Sequence, residues 1–162
     1  MFSAFNRRIP QLSIFHNSSS PPSQTALKLL NSALTSPYPP TNPSAPPLEF
    51  NLEVIENKPP TKDQLSTILS YLPSAASYPS PSDALLSAHP SVISRPTSTE
   101  GIVNAASSNL NALKWPIVVD WDDGKVAIGD IDGVKHILEE LRKKRDGESK
   151  VEDNRKHKGW FS

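Results

Sequence analysis

The chain carries apolar residues in two different periods. Four short segments have continuous or alternating apolar residues, which is the pattern of β-strands; they are residues 12–16, 50–55, 117–119 and 126–128. Four longer segments repeat apolar residues every three or four positions, which predicts amphipathic helices; they are residues 23–34, 61–72, 99–113 and the stretch that follows Asp130. The predicted order is therefore strand, helix, strand, helix, helix, strand, strand, helix.

Capping and turn residues mark the ends of these elements. Thr61 followed three positions later by Gln64 is a capping box, in which each side chain bonds a backbone N–H at the start of the helix. Ser23 is predicted to cap the first helix and Asp130 the last. Residues 122–124, Asp-Asp-Gly, predict a hairpin turn, because glycine adopts the positive φ that such turns need.

This order predicts an α/β protein with a thioredoxin-like fold: a βαβ unit, a helical insertion and a ββα hairpin unit. The βαβ unit is expected to have the usual right-handed crossover. Pro116 stands directly before the third strand, where thioredoxin-like folds carry a cis proline. We therefore predict a cis bond between Trp115 and Pro116, although only about 5% of X–Pro bonds are cis.

Composition predicts large segments outside the folded core. The chain has 17 prolines and only 36% apolar residues, and segments rich in proline and serine bury too little apolar surface to fold. We expect disordered insertions at residues 35–47 and 74–98. The predicted division is an N-terminal segment at 1–10, a thioredoxin-like domain at 11–145 and a charged, disordered tail at 146–162.

The charge and hydropathy of the chain limit the kinds of partner that we expect it to bind. Basic and acidic residues number 17 each, so the molecule lacks the basic surface typical of nucleic-acid binding, and no such partner is expected. No apolar run reaches the roughly 20 residues of a membrane span. Residues 142–158 carry eight of the basic and four of the acidic residues. We interpret them as a solubilising tail; the alternative is contact with anionic lipid or RNA.

The N-terminus has the composition of a mitochondrial targeting sequence. It is rich in serine, carries Arg7 and Arg8, and has no acidic residue before Glu49, as in such presequences. A short frayed terminus is the alternative. Because a strand is predicted from Leu12, a short or uncleaved signal fits better than a long cleaved one, and we expect a mitochondrial location.

Three sequence blocks resemble known families. Residues 12–17, LSIFHN, with the following SSSPPSQTALKLL, are similar to the H-N-P-x-C-x-x-S start of the glutaredoxin-dependent arsenate reductases. Residues 59–65, PPTKDQL, and 115–120, WPIVVD, resemble two further segments of that group. The layout also resembles a fungal mitochondrial family of redox proteins with a thioredoxin-like fold, which implies oxidoreduction of small molecules or thiols.

The residues that would perform thiol chemistry are absent. Aligned through His16 and Asn17, the reductase cysteine falls on Ser20, and Trp115 stands where an arginine would hold the oxyanion. The cysteine of the second family falls near residues 105–106, which are both alanine. The chain has no cysteine and so forms no thiolate or disulfide. The resemblance thus predicts an oxidoreductase, whereas the residues predict no thiol-based catalysis.

A serine cluster before the first helix is the candidate binding site. Free N–H groups at a helix N-terminus favour anions, which predicts a vestigial pocket for an oxyanion or for a carboxylate of glutathione. Ordinary capping is the alternative, and Pro21 and Pro22 remove two of the donors. The candidate residues are Ser18, Ser19, Ser20, Ser23, Trp115 and Pro116. No catalytic residue and no metal ligand is assigned, and glutathione is the only cofactor considered.

Acidic and histidine residues do not form a metal motif in this sequence. Asp120, Asp122 and Asp123 invite a calcium interpretation, but Ile131 stands where an EF-hand loop beginning at Asp120 needs a bidentate glutamate; we interpret the three as turn residues. The four histidines have no metal-ligand spacing. Two hypotheses remain: a mitochondrial redox protein, and a non-catalytic thioredoxin-like binding or structural protein with a protein partner or a bound anion.

Overall fold

The computed structural model describes residues 9–72, 84–87, 96 and 98–147. Strands β1 to β4 form one sheet in the order β2-β1-β3-β4; they span Gln11–His16, Asn51–Glu56, Ile117–Asp120 and Lys125–Ile128. Helices α1 to α4 span Pro21–Thr35, Lys62–Tyr71, Thr99–Ser108 and Ile131–Asp146, and a 3₁₀-helix spans Leu110–Ala112. The predicted mixed α/β order of strands and helices is confirmed.

Strand β1 lies in the interior of the sheet and is hydrogen-bonded to a neighbouring strand on each side. It runs parallel to β2, so that Ile14 lies opposite Val54, and antiparallel to β3, where Ile14 faces Val118. Strand β4 continues the sheet antiparallel to β3. The parallel pair requires a crossover connection, which α1 supplies, and the antiparallel pair needs only the short turn of the hairpin.

Side chains that alternate along β1 enter two separate cores, one on each face of the sheet. Leu12 and Ile14 lie in the core that α1 and α4 cover, together with Ala26, Leu30, Leu48, Phe50, Val118, Val134, Ile137, Leu138 and Leu141. Phe15 lies in the opposite core with Leu65, Ile68, Ile102, Ala106, Leu113, Trp115, Ile117 and Val119. The sheet is therefore the middle layer between two pairs of helices.

Helix α1 begins earlier than the sequence predicted. Its N-cap is Ser20, and Pro21 and Pro22 occupy the first two helical positions. Proline is tolerated there because the first N–H groups of a helix have no acceptor within the helix. Ser23, the predicted cap, is instead a fully buried residue of the first turn.

The other helix ends follow local capping chemistry. The predicted capping box of α2 is confirmed, with Thr61 and Gln64 bonding each other's backbone N–H groups. The predicted helix over 99–113 ends at Ser108. There the side chain of Asn109 accepts the N–H of Asn111, and the 3₁₀-helix starts. Asparagine side chains can bond nearby backbone groups in this way, and such bonds compete with those of an α-helix.

The first proline-rich segment, residues 35–47, makes contacts with the rest of the fold, although its composition predicts disorder. The N–H of Tyr38 donates to the carbonyl of Pro46 (3.2 Å), and that of Leu48 donates to Ala33 on α1 (2.8 Å). Tyr38 packs against the α1/α4 core, and the guanidinium of Arg145 on α4 donates to Pro46 (2.7 Å). These contacts hold a segment whose composition alone favours disorder.

The second proline-rich segment, predicted to be disordered over 74–98, lies mostly outside the described residues. Its described part, 84–87, is not a solvated loop: Ala84, Leu85 and Leu86 are all buried, and Leu86 forms a β-bridge with Leu113. The N-terminal residues 1–8 and the tail residues 148–162 also lie outside the described part. Within the described ranges, no helix is both long and apolar enough to cross a bilayer.

The hairpin agrees with its sequence prediction. Gly124 has a φ of +66°, and the bond between Trp115 and Pro116 is cis, as predicted. The carboxylate of Asp120 accepts the N–H groups of Asp122 (3.1 Å) and Asp123 (3.2 Å). These acidic residues therefore shape the turn, as the sequence suggested.

Asp120 is only 1% exposed, and burial raises the pKa of its carboxyl above the ordinary value. Hydrogen bonds from the turn and the charge of Lys144 lower it, but by less. The folded protein thus binds this proton more tightly than the unfolded chain. The resulting stabilisation of the folded protein is present below the ordinary pKa of the unfolded chain. It is lost as the pH rises through the raised pKa of the folded protein.

We predict that Asp120→Asn stabilises the protein at pH 7. Asparagine keeps the oxygen that accepts the two turn N–H groups and has no charge to desolvate. The gain should shrink as the pH falls through the raised pKa of the wild-type carboxyl, because the buried group is then protonated and uncharged. Urea unfolding across this range measures the effect. A variant less stable than the wild type at pH 7 would show that the charged hydrogen bonds outweigh the burial.

Candidate functional site

A cleft opens at the end of the sheet where β1 ends and β3 begins. Antiparallel pairing brings these ends together, and the return strand β4 ends beside them, directly before Gly129. The cleft has a volume of about 460 Å³ and is lined by Asn17, Ser19, Ser20, Pro21, Ser87, Asn111, Leu113, Lys114, Trp115 and Gly129. Of the predicted binding-site residues, Ser19, Ser20 and Trp115 line the cleft, whereas Ser18, Ser23 and Pro116 lie outside the lining.

Behind the cleft, a buried hydrogen bond joins β1 to α1. The Nδ1 atom of His16 lies 2.6 Å from the hydroxyl oxygen of Ser23, and both residues are buried. The same hydroxyl oxygen accepts the N–H of Asn17 at 3.0 Å. Ser23 therefore anchors the first turn of α1 to the end of β1 and does not face the cleft.

Backbone N–H groups around the start of α1 already have acceptors within the chain. The N–H of Asn17 donates to the Ser23 hydroxyl, and that of Ser23 donates to the Ser20 hydroxyl. The N–H groups of Ser18 and Ser19 donate to the side chains of Asn57 and Asn17. The N–H of Ser20 donates to the carbonyl of Asn17. Pro21 and Pro22 have no N–H to offer. A helix N-terminus binds anions through unpaired N–H groups, so this loop makes a poor oxyanion cradle.

Asn57 extends this arrangement to β2. It adopts a left-handed φ of +57°, and its own N–H donates to the carbonyl of His16 (2.7 Å). Its side chain bonds both the N–H and the hydroxyl of Ser18. Asparagine tolerates this backbone conformation better than most residues, so it can end β2 and hold the serine loop at once.

Trp115 forms a wall of the cleft and does not fill it. The residue is 7% exposed and lies in the α2/α3 core, where its indole Nε1 donates to the carbonyl of Leu110 at 2.6 Å. The main-chain N–H and C=O of Trp115 have no hydrogen-bond partner in the part of the chain that the structure describes. Main-chain groups without a partner pair with water or with a ligand.

Several lining residues were not predicted from the sequence. Ser87 reaches the cleft because its N–H donates to Ala112 (2.8 Å), while the N–H of Lys114 donates to Leu85 (2.9 Å). These bonds join segments about 27 residues apart, and the local pattern carried no signal for that pairing. Asn17 and Gly129 could have been found more easily from the sequence. Asn17 directly follows a predicted strand, and Gly129 directly follows the hairpin.

Among the described residues that line the cleft there is no histidine, aspartate or glutamate. His16 bonds Ser23 and not the cleft serine Ser20, so the contacts described give Ser20 no general base. Among the described residues, no group of three or more histidine or acidic side chains could hold a metal ion. What the cleft offers is neutral hydrogen-bonding side chains, one lysine and the main chain beside a buried indole.

The structure is a mixed α/β fold with a four-stranded sheet, and the chain has no cysteine. Residues 2–129 match the model of the family described as "Protein of unknown function (DUF1687)", and the chain belongs to that family. Among solved structures it is similar to an arsenate reductase from Vibrio cholerae, at 16% identity and a TM-score of 0.50. That match covers 82% of this chain and 98% of the other. No curated protein matches the chain.

The structural likeness confirms the predicted resemblance to arsenate reductases at the level of the fold. At this identity it does not extend to activity. The fungal and mitochondrial parts of the predicted resemblance stay predictions.

We predict that Ser23→Ala lowers the free energy of unfolding by about 1–3 kcal/mol, because it removes the partner of two buried polar groups. Those groups are Nδ1 of His16 and the N–H of Asn17. The matched control is Ser32→Ala on the exposed side of α1, which should change stability by no more than about 0.5 kcal/mol. Urea unfolding of both variants is the measurement. Equal losses would mean that the His16–Ser23 bond does not anchor α1.

Proposed function

We propose that this protein is a non-catalytic binding protein on a thioredoxin-like fold, with its ligand in the cleft beside Trp115. The loop at 17–20 supports this most directly. It carries no thiol, and its N–H groups bond acceptors of the chain itself. A site of this kind holds a ligand but supplies no activated nucleophile to attack it.

The proposed ligand is an extended, peptide-like molecule. Trp115 lines the cleft, and its main-chain N–H and C=O have no partner among the described residues. Such groups favour pairing with another extended backbone, as in strand addition. Ser19, Ser20 and Asn111 on the facing walls suit the polar groups of a peptide better than an apolar molecule. A protein segment and the tripeptide glutathione both have this chemistry.

A second candidate function is oxidoreduction of small molecules or thiols, with glutathione as the reacting thiol. The likeness of the fold to an arsenate reductase supports a redox-type ancestry. Because the chain has no cysteine, glutathione in the cleft would have to supply the reacting sulfur. The two candidate functions therefore differ in one respect: the oxidoreductase needs the thiol of glutathione to react, whereas the binding protein does not.

We predict that glutathione and S-methylglutathione bind the cleft with affinities within about twofold of each other, a difference of only ~0.4 kcal/mol. The reason is that the backbone, not the sulfur, is recognised. Titrations followed by backbone amide NMR shifts measure both affinities. Ser19→Trp should block binding by filling the cleft, whereas Ser32→Trp, on the exposed side of α1, should bind as the wild type does.

An activity assay with glutathione and glutaredoxin distinguishes the second candidate. Arsenate and a small disulfide are the substrates, and Ser20→Ala is the control. We expect no turnover by either protein. Turnover by the wild type above the control would favour the oxidoreductase and overturn the non-catalytic proposal.

We also propose a mitochondrial location. The support is the serine-rich N-terminus, which carries Arg7 and Arg8 and has no acidic residue before Glu49. A fluorescent protein fused to the C-terminus should label mitochondria, and replacing both arginines by glutamate should abolish the labelling. Replacing them by lysine is the matched control. Labelling that persists in the glutamate variant would show that this segment is not the signal.

A further inference from the structure

Asn17 is held in one orientation by hydrogen bonds to three of its polar groups. Its N–H donates to the hydroxyl of Ser23 (3.0 Å), and its carbonyl accepts the N–H of Ser20 (2.9 Å). Its side-chain oxygen Oδ1 accepts the N–H of Ser19 (2.9 Å). The residue is 4% exposed. Both the backbone and the plane of the side-chain amide are therefore fixed before any ligand arrives.

The remaining polar group of Asn17 is its side-chain nitrogen, Nδ2, which has no hydrogen-bond partner in the described part of the chain. Every fully buried side-chain nitrogen or oxygen of the described residues does have a partner. Nδ2 must therefore reach the surface, and the cleft is the surface that Asn17 lines. A nearly buried, oriented amide thus presents two N–H donors to the cleft.

We propose that Asn17 determines specificity in the cleft by donating from Nδ2 to an oxygen of the ligand, either a carbonyl or a carboxylate. This rests on the proposed function, since it names the group that the peptide-like ligand must carry. The donor is already oriented, so little conformational entropy is lost when it bonds. A ligand that offers only donors there would leave a nearly buried N–H unpaired, which disfavours it.

Asn17→Asp tests this with a minimal change of shape. Aspartate keeps the oxygen that accepts the Ser19 N–H and replaces the two donors by an acceptor. Asn111→Asp is the matched control, because it places the same charge on another wall of the same cleft. We expect the affinity for S-methylglutathione to fall at least about tenfold in Asn17→Asp, and no more than about threefold in Asn111→Asp. Equal losses would mean that the added charge, not the lost donor, weakens binding.

The wild-type protein provides a test that does not depend on a variant folding. The side-chain NH₂ signals of Asn17 should shift on titration with S-methylglutathione and with N-methylacetamide, which mimics a peptide carbonyl. They should not shift with methylammonium, which only donates. If the backbone signals of Ser19 and Trp115 move while the Asn17 NH₂ signals do not, this inference fails and the proposed function stands. If no cleft signal moves with any probe, both fail.

Discussion

The position of β1 is the constraint on which the rest of the structure depends. This strand is hydrogen-bonded to β2 on one edge and to β3 on the other, and its side chains are buried on both faces. Its end therefore cannot shift without disturbing both cores. The bond from His16 to Ser23 then ties α1 to that end. The cleft owes its shape to this rigid corner, as sites on regular elements generally do.

The same corner explains why the start of α1 offers few unpaired N–H groups to an oxyanion. A helix N-terminus is an anion site only while its N–H groups are unpaired. Here Asn17 and Asn57 supply side-chain oxygens to the N–H groups of Ser19 and Ser18, and two prolines remove further donors. In the arrangement that satisfies the loop, the side-chain nitrogen of Asn17 keeps its N–H groups for a ligand.

Much of the fold could be predicted from local patterns. The capping box at Thr61, the cap at Asp130 and the turn at Gly124 each depend on a few neighbouring residues, and each agrees with the structure. The predicted cap at Ser23 was wrong because a serine three residues earlier performs that role. A buried histidine, which no local rule could place, holds Ser23 instead.

The sequence by itself determined the order of the elements, the mixed α/β fold and the absence of a thiol, because periodicity, capping and composition are local properties. Tertiary structure alone decided which residues share the cleft. Ser87 joins it through a bridge between segments far apart in the chain, and the proline-rich loop contacts α1 and α4. Such contacts form only when distant segments meet, so neither could be inferred from the residues around them.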